Sequence, residues 1–174
     1  MWGGFPKVIE EVFPNAVLVF DRFHVMKAVN QDLNKLRRKL GVTDRGSKYL
    51  LLRNGADLNT EQAQKLDAVL DRSPCVKIAY EMKEEFRNIY EISQTVKIGR
   101  SRFEKWLHSA QLFYSDAALT IRNHFDGICN YFLSRTTSGV MAGINNRIKL
   151  IKRQGYGFSN FDNFRARLLA CFSN

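Results

Sequence analysis

Residues 16–40 read AVLVFDRFHVMKAVNQDLNKLRRKL, and the change of rhythm at Asp21 sets the fold class. The five residues 16–20 are continuously apolar, a pattern that suits a strand buried on both faces of a parallel or mixed sheet. Beyond Asp21 the period changes. Val25, Met26, Val29, Leu33, Leu36 and Leu40 recur at helical spacing, and Gly41 is expected to stop that helix. Its last turns carry Lys35, Arg37, Arg38 and Lys39. Upstream, Pro6 stands where a helix would start, Val8, Ile9, Val12 and Phe13 follow in phase, and Pro14-Asn15 breaks it.

Downstream the pattern is helical. A polar loop with Gly46 and Gly55 leads to a helix opened by Asn59-Thr60 and running to about residue 72. A second is expected over about 75–93, with Ile78, Met82, Phe86, Ile89 and Tyr90 on one face. Ser101-Arg102-Phe103-Glu104 reads as a capping box opening a third. Ser115 is expected to cap a fourth, containing Ala118, Ile121, Phe125, Ile128 and Phe132. A fifth begins near Ser138-Gly139 and ends at Gly155, and a sixth begins near Asn160. A single strand cannot make a sheet. The chain is therefore either all-helical or part of a larger α/β unit.

The formal net charge of +10 makes polyanions, chiefly nucleic acid, the natural partners. The charge is segregated. Residues 22–53 carry nine Lys/Arg against two acids, residues 143–174 six against one, and residues 54–96 five against eight. No apolar run approaches the ~20 residues that span a bilayer, and the N-terminal residues lack a secretory pattern. Cys75, Cys129 and Cys171 lie far apart and form no ligand-spaced cluster with His24, His108 and His124. They read as buried thiols of a reducing, cytoplasmic compartment.

Two places carry chemistry. Asp21, at the end of the apolar run, reads either as a metal ligand or as the cap of the following helix. The other is the run from Thr137 to Phe158. On a helix, Val140, Met141, Ile144, Ile148 and Ile151 face inward, while Ala142, Asn145, Asn146, Lys149 and Arg153 share another face. Adjacent amides beside a line of cations, Arg147 and Lys152 included, suit a phosphate backbone, although a solvated basic face has the same pattern. Tyr156 and Phe158 suit either an unpaired base or the core. His24 and the aromatics Phe103, Trp106, Phe113 and Tyr114 read as structural.

The segments VFDRFHVMKAVNQDLNKLRRK, AYEMKEEFRNIY and above all GINNRIKLIKRQGYGFSNFDNFRARLL resemble the ISL3 insertion-sequence transposases, and the similarity covers essentially the whole chain. The resemblance implies a ribonuclease-H-like core with a DDE triad. In such enzymes two Asp and one Glu hold a pair of Mg²⁺ ions, which activate water or a 3′-hydroxyl for in-line attack on DNA. The second acid of the pattern falls on Asp21, which would make it both catalytic residue and metal ligand. The Glu that precedes Gly-Ile-Asn-Asn falls on Ala142, whose methyl cannot bind metal. The first Asp precedes a Met-Trp pair, and here Met1-Trp2 begins the chain. Nothing in the spacing points Glu10, Glu11 or Asp162 at Asp21.

The expectation is thus a C-terminal transposase fragment, inactive as it stands, that retains DNA binding. Its fold would be an incomplete α/β core that is mostly α, with one short strand. Residues 1–41 would be partial core, 42–135 a helical insertion and 136–174 core helices. Arg22, Arg37, Arg38, Lys39, Asn145, Asn146, Arg147, Lys149, Lys152, Arg153 and Tyr156 would face DNA, either insertion-sequence ends or target. A homo-oligomer, or association with an intact transposase, would fit. The alternative is a non-enzymatic nucleic-acid-binding module that inhibits a transposase.

Overall fold

The helix after Asp21 is the spine of the first unit. In the computed structural model, which describes residues 8, 11–135 and 139–172 and the side chains of all of these but 140–142, α1 spans Arg22–Lys39. Asp21 caps it, accepting from the Phe23 N–H at 2.6 Å. Val25, Val29 and Leu33, one turn apart, are fully buried. The three cations of the last turn complement the helix dipole, and the chain leaves through Gly41 at φ 73°.

Residues 42–58, expected as a polar loop, contain α2 (Ser47–Leu52) and a 3₁₀ turn, Gly55–Asp57. Leu50 and Leu51 bury themselves there, which stabilises a helix too short to stand alone. Lys83, from a later helix, binds the Leu51 and Arg53 carbonyls at 3.0 and 2.8 Å and so closes the end of α2. Next come α3 (Thr60–Leu70), opened by a reciprocal capping box between Asn59 and Gln62, and α4 (Pro74–Ile92), capped by Ser73 with proline at its first position.

The following helix, α5 (Val96–Ala110), starts before the expected box. Thr95 caps it, accepting from the Ile98 N–H at 3.3 Å, and Ser101 lies in its interior. The apolar phase Gly99, Phe103, Trp106 and Ala110 extends the helix upstream past the Ser-x-x-Glu pattern. The expected fourth helix is broken into α6 (Ser115–Asn123), α7 (Phe125–Cys129) and α8 (Tyr131–Ser134). α1 packs on α4 and α6, and α4 on α5. Between them sits an aromatic cluster. Phe86 lies 4.5 Å from Trp106 and 5.1 Å from Phe103, and Tyr90 lies 5.1 Å from both Phe103 and Tyr131. The Trp106 indole donates to the Met82 carbonyl at 2.8 Å, and the Tyr114 hydroxyl donates to that of Ala79. The rings of Trp106 and Tyr114 thus keep their polar handles paired, whereas the buried Tyr90 hydroxyl has no hydrogen-bond partner among the described residues.

The expected strand is not formed: no strand occurs among the described residues, which are mostly helical. Residues 16–20 instead run irregularly over the end of α7. The Phe20 N–H donates to the Gly127 carbonyl at 2.9 Å, and the Asn130 amide to that of Leu18 at 3.0 Å. Phe20 is buried against the His124 ring at 4.8 Å. A strand needs a neighbouring extended segment, and the described residues offer none, so helix-end groups meet these backbone atoms.

The chain divides into two compact units, residues 1–136 and 137–174. The second is a helical pair, α9 (Gly139–Gln154) and α10 (Phe161–Phe172). Ile151 is buried and Ile144 and Ile148 half-buried, as the periodicity predicts. Asn160 caps α10, accepting from Asp162 at 2.8 Å. The connection turns through Tyr156 at φ 51° and Gly157 at φ 95°, with Phe158 packed 5.1 Å from Phe164.

Candidate metal position and basic faces

Asp21 is half-buried between the irregular segment and α1, with a carboxylate oxygen committed to the Phe23 N–H. Its neighbour Arg22 pairs with Glu91 at 2.8 Å and lies 5.9 Å from the Tyr90 ring centroid. Two metal ions held close together repel and need several anionic oxygens. Among the described residues no group of three or more His, Cys, Asp or Glu side chains is placed to hold a metal. Glu11 and Asp162 are exposed, and Glu10 lies outside the described residues. Ala142 falls in the first turns of α9, in the second unit. The donor set among the described residues, with Asp21 already capping a helix, does not fit a metal pair.

The expected DNA-facing cations separate into distinct groups. Arg38 and Lys39 are exposed at the end of α1. Lys27, Gln31, Lys35 and Arg38 recur along one exposed face of that helix, and Arg45 and Lys48 are exposed just beyond it. Lys27, Arg45 and Lys48 were not singled out by motif, though all three lie in the strongly basic stretch 22–53. Lys35 bridges Asp116 at 2.6 Å and Asp32 at 3.4 Å. Its pKa is raised, chiefly by the bond to Asp116. Arg37 differs from its neighbours. It is 7% exposed and donates to the Val42 carbonyl at 2.6 Å, to Asn34 Oδ1 at 3.1 Å and to Ser47 Oγ at 3.2 Å. An arginine so placed organises the turn after α1 and is withdrawn from the surface, contrary to its expected phosphate role. Arg22, held by Glu91, is likewise engaged within the protein.

On α9, Asn145, Asn146, Lys149, Lys152 and Arg153 are exposed, and Tyr156 is fully so. Arg147 is exposed but donates to the Cys171 carbonyl and lies 4.7 Å from the Phe172 centroid, tying α9 to α10. The amides and cations grouped by helical spacing therefore do share a solvent face. Phe158, by contrast, is half-buried against Phe164. The rings Phe103, Trp106 and Tyr114 lie in the core as expected. Of the thiols, Cys129 is buried, and burial pushes it up to about 11, whereas Cys75 is exposed.

The described residues thus form a mostly helical scaffold with exposed cations on α1 and α9 and with Asp21 at the expected metal position, and the sequence comparisons assign the class, a transposase. The ISL3 transposase profile matches residues 1–168, and the chain belongs to that DDE-type family. The transposase of insertion sequence IS1001 from Bordetella parapertussis is 28% identical over 91% of this chain and 43% of its own length. The IS1557 transposase of Mycobacterium tuberculosis is 26% identical over 66% of this chain and 26% of its own. A Lactococcus lactis protein named as an ATP-dependent protease is 26% identical over 63% of this chain and 34% of its own. The chain thus spans less than half the length of these relatives. No solved structure matches. Among the described residues no helix is long and apolar enough to cross a membrane.

Proposed function

We propose that this chain is the DNA-holding C-terminal portion of an insertion-sequence transposase, and that as it stands it does not cut DNA. The observation that carries this reading is the combination of exposed cations on α1 and α9 with a metal position at which the described residues gather no group of three metal-binding side chains. Arg38 and Lys39, extended by Lys27, Arg45 and Lys48, would neutralise phosphates along one face. Lys149, Lys152 and Arg153 would do so along another, with Asn145 and Asn146 donating short directional bonds. Tyr156, fully exposed on a tight turn, would offer a ring to an unpaired base.

When bound, a Mg²⁺ pair supplies the activated water or 3′-hydroxyl of DDE chemistry. Among the described residues Asp21 is the one acid that falls on the triad pattern, and Ala142 stands where the family pattern has Glu. Asp21 serves α1 as its cap and leaves no donor set for two ions. The substrates would be insertion-sequence ends or target DNA, in the cytoplasm.

The test is a pair of assays on the purified chain. Filter or anisotropy binding to unrelated duplexes should give similar affinities that fall steeply with salt, and a supercoiled plasmid should stay intact with Mg²⁺ or Mn²⁺. Salt-independent or absent binding would sink the DNA-holding reading. Nicking that disappears in Asp21→Ala would sink the inactive one.

A further inference from the structure

In a chain of net charge +10, residues 54–96 are net acidic, and α4 displays that excess on an unpartnered face. Ile78, Glu81, Glu85, Asn88 and Ile92 are all exposed and recur along one side of the helix. Ile78 and Ile92, about half exposed, flank the carboxylates. An open cleft of about 430 Å³ lies beside them, with Glu84, Glu85, Arg87, Asn88 and Glu91 along it. Glu84 is engaged by Lys83 and Glu91 by Arg22. Glu81 and Glu85 form no ion pair with any described residue.

This surface repels DNA and calls for a cationic, helical partner. The exposed face of α9 has that composition. Asn146, Lys149, Leu150 and Arg153 share it at helical spacing, Leu150 is 49% exposed, and neither Lys149 nor Arg153 pairs with a described acid. Spacing matches as well as sign. Glu81 and Glu85 are four residues apart, as are Lys149 and Arg153, which sets both pairs of charges about 6 Å apart along their axes. We infer that the acidic face of α4 is a docking surface for α9 of a second copy of this chain, making a reciprocal, two-fold contact. It goes beyond DNA holding, and predicts that DNA and self-association compete for Lys149 and Arg153.

The experiment uses sedimentation of the whole chain without DNA. At low ionic strength it should dimerise, and raising salt should weaken the dimer by about tenfold or more. The variants Glu81→Lys/Glu85→Lys and Lys149→Glu/Arg153→Glu should each be monomeric, because each brings like charges together. Mixed in equal amounts they should form a heterodimer, since both contacts then regain opposite signs. A parent chain monomeric at low salt overturns the proposal, and so does a mixture that stays monomeric while both variants melt cooperatively. If a reversed variant fails to fold, Glu81→Gln/Glu85→Gln replaces it and should lose the dimer; retention of the dimer overturns the proposal. DNA affinity is measured separately, so either reading can fail alone.

Discussion

Asp32, 6% exposed in the middle of α1, accepts a hydrogen bond from the Ala117 backbone N–H at 2.8 Å. Ala117 is the third residue of α6, where a capping side chain normally bonds, and the preceding Tyr114 offers none. A carboxylate 85 positions upstream therefore caps α6 and locks it to α1. The same aspartate lies 3.4 Å from Lys35, which also reaches Asp116. Removing the acceptor leaves a buried N–H unpaired, which costs about 1–3 kcal/mol. Asp32→Ala should lower the melting temperature by about 5 °C, and Asp32→Asn, which keeps an oxygen there, by much less. Equal losses in a thermal melt would assign the effect to charge pairing with Lys35.

Arg37 and its neighbours Arg38 and Lys39 should part company on mutation. The guanidinium of Arg37 bonds the Val42 carbonyl and Ser47 across the turn after α1. Arg37→Ala should cost about 2 kcal/mol or more in urea unfolding, with DNA affinity of the folded protein little changed. Arg38→Ala/Lys39→Ala should leave stability within about 0.5 kcal/mol and shallow the salt dependence of DNA binding. Affinity lost equally in the two variants would place Arg37 at the DNA surface after all.

The phase of α1 contained this distinction. Val25, Val29 and Leu33 are buried one turn apart, and Arg37 is the next position on that stripe. The same holds for Lys83, in phase with Ala79, Phe86 and Tyr90 on α4. A cation on a buried stripe marks a structural role, and charge counting alone hides it. Helix existence was legible wherever apolar phase was long, as in α1, α4 and α9. Helix starts were less so, because Ser101 and Glu104 imitate a cap inside α5 while Thr95 supplies the real one. The run 16–20 is ambiguous in sequence because a short apolar stretch has the same composition whether it pairs in a sheet or lies across a helix end. Only its partners, Gly127 and Asn130, decide, and they are more than 100 residues away. Asp21 was legible as a position, and both of its readings stood on the same local pattern until the 2.6 Å bond to Phe23 established the cap.

Gly127→Ala tests that docking directly. A methyl there would lie 2.6 Å from the Phe20 ring and 3.5 Å from the Leu18 carbonyl. In a free helix the change would be favourable by about 1 kcal/mol. Here it should destabilise, by about 1–3 kcal/mol as in overpacked cores, and amide exchange should quicken at Phe20, whose N–H bonds the Gly127 carbonyl. A stabilised variant with unchanged exchange would show that residues 16–20 rest only loosely on α7.

Alkaline unfolding should be governed by buried phenols. Burial, with the Glu84 carboxylate second, pushes Tyr80 up to about 12. Burial also raises Tyr114, whose hydroxyl donates to the Ala79 carbonyl. An unfolded tyrosine ionises near pH 10. Between about pH 10 and 12 the unfolded chain therefore sheds a proton that folded Tyr80 keeps, and stability present below pH 10 is lost as pH rises. For Tyr80, 8% exposed, the loss would be about 2 kcal/mol at pH 12. Lys83, 4.3 Å from the Tyr80 ring centroid, acts with the opposite sign. Burial lowers its pKa, so just below 10.5 the folded chain binds fewer protons and stability gains with pH. The clean measurement is thus a difference. Urea unfolding of the parent and of Tyr80→Phe, followed from pH 8 to about pH 12, should yield curves that run parallel below pH 10 and converge above it, because the variant lacks the ionising phenol. Curves that stay parallel throughout would mean that Tyr80 titrates in the folded chain as it does in the unfolded one.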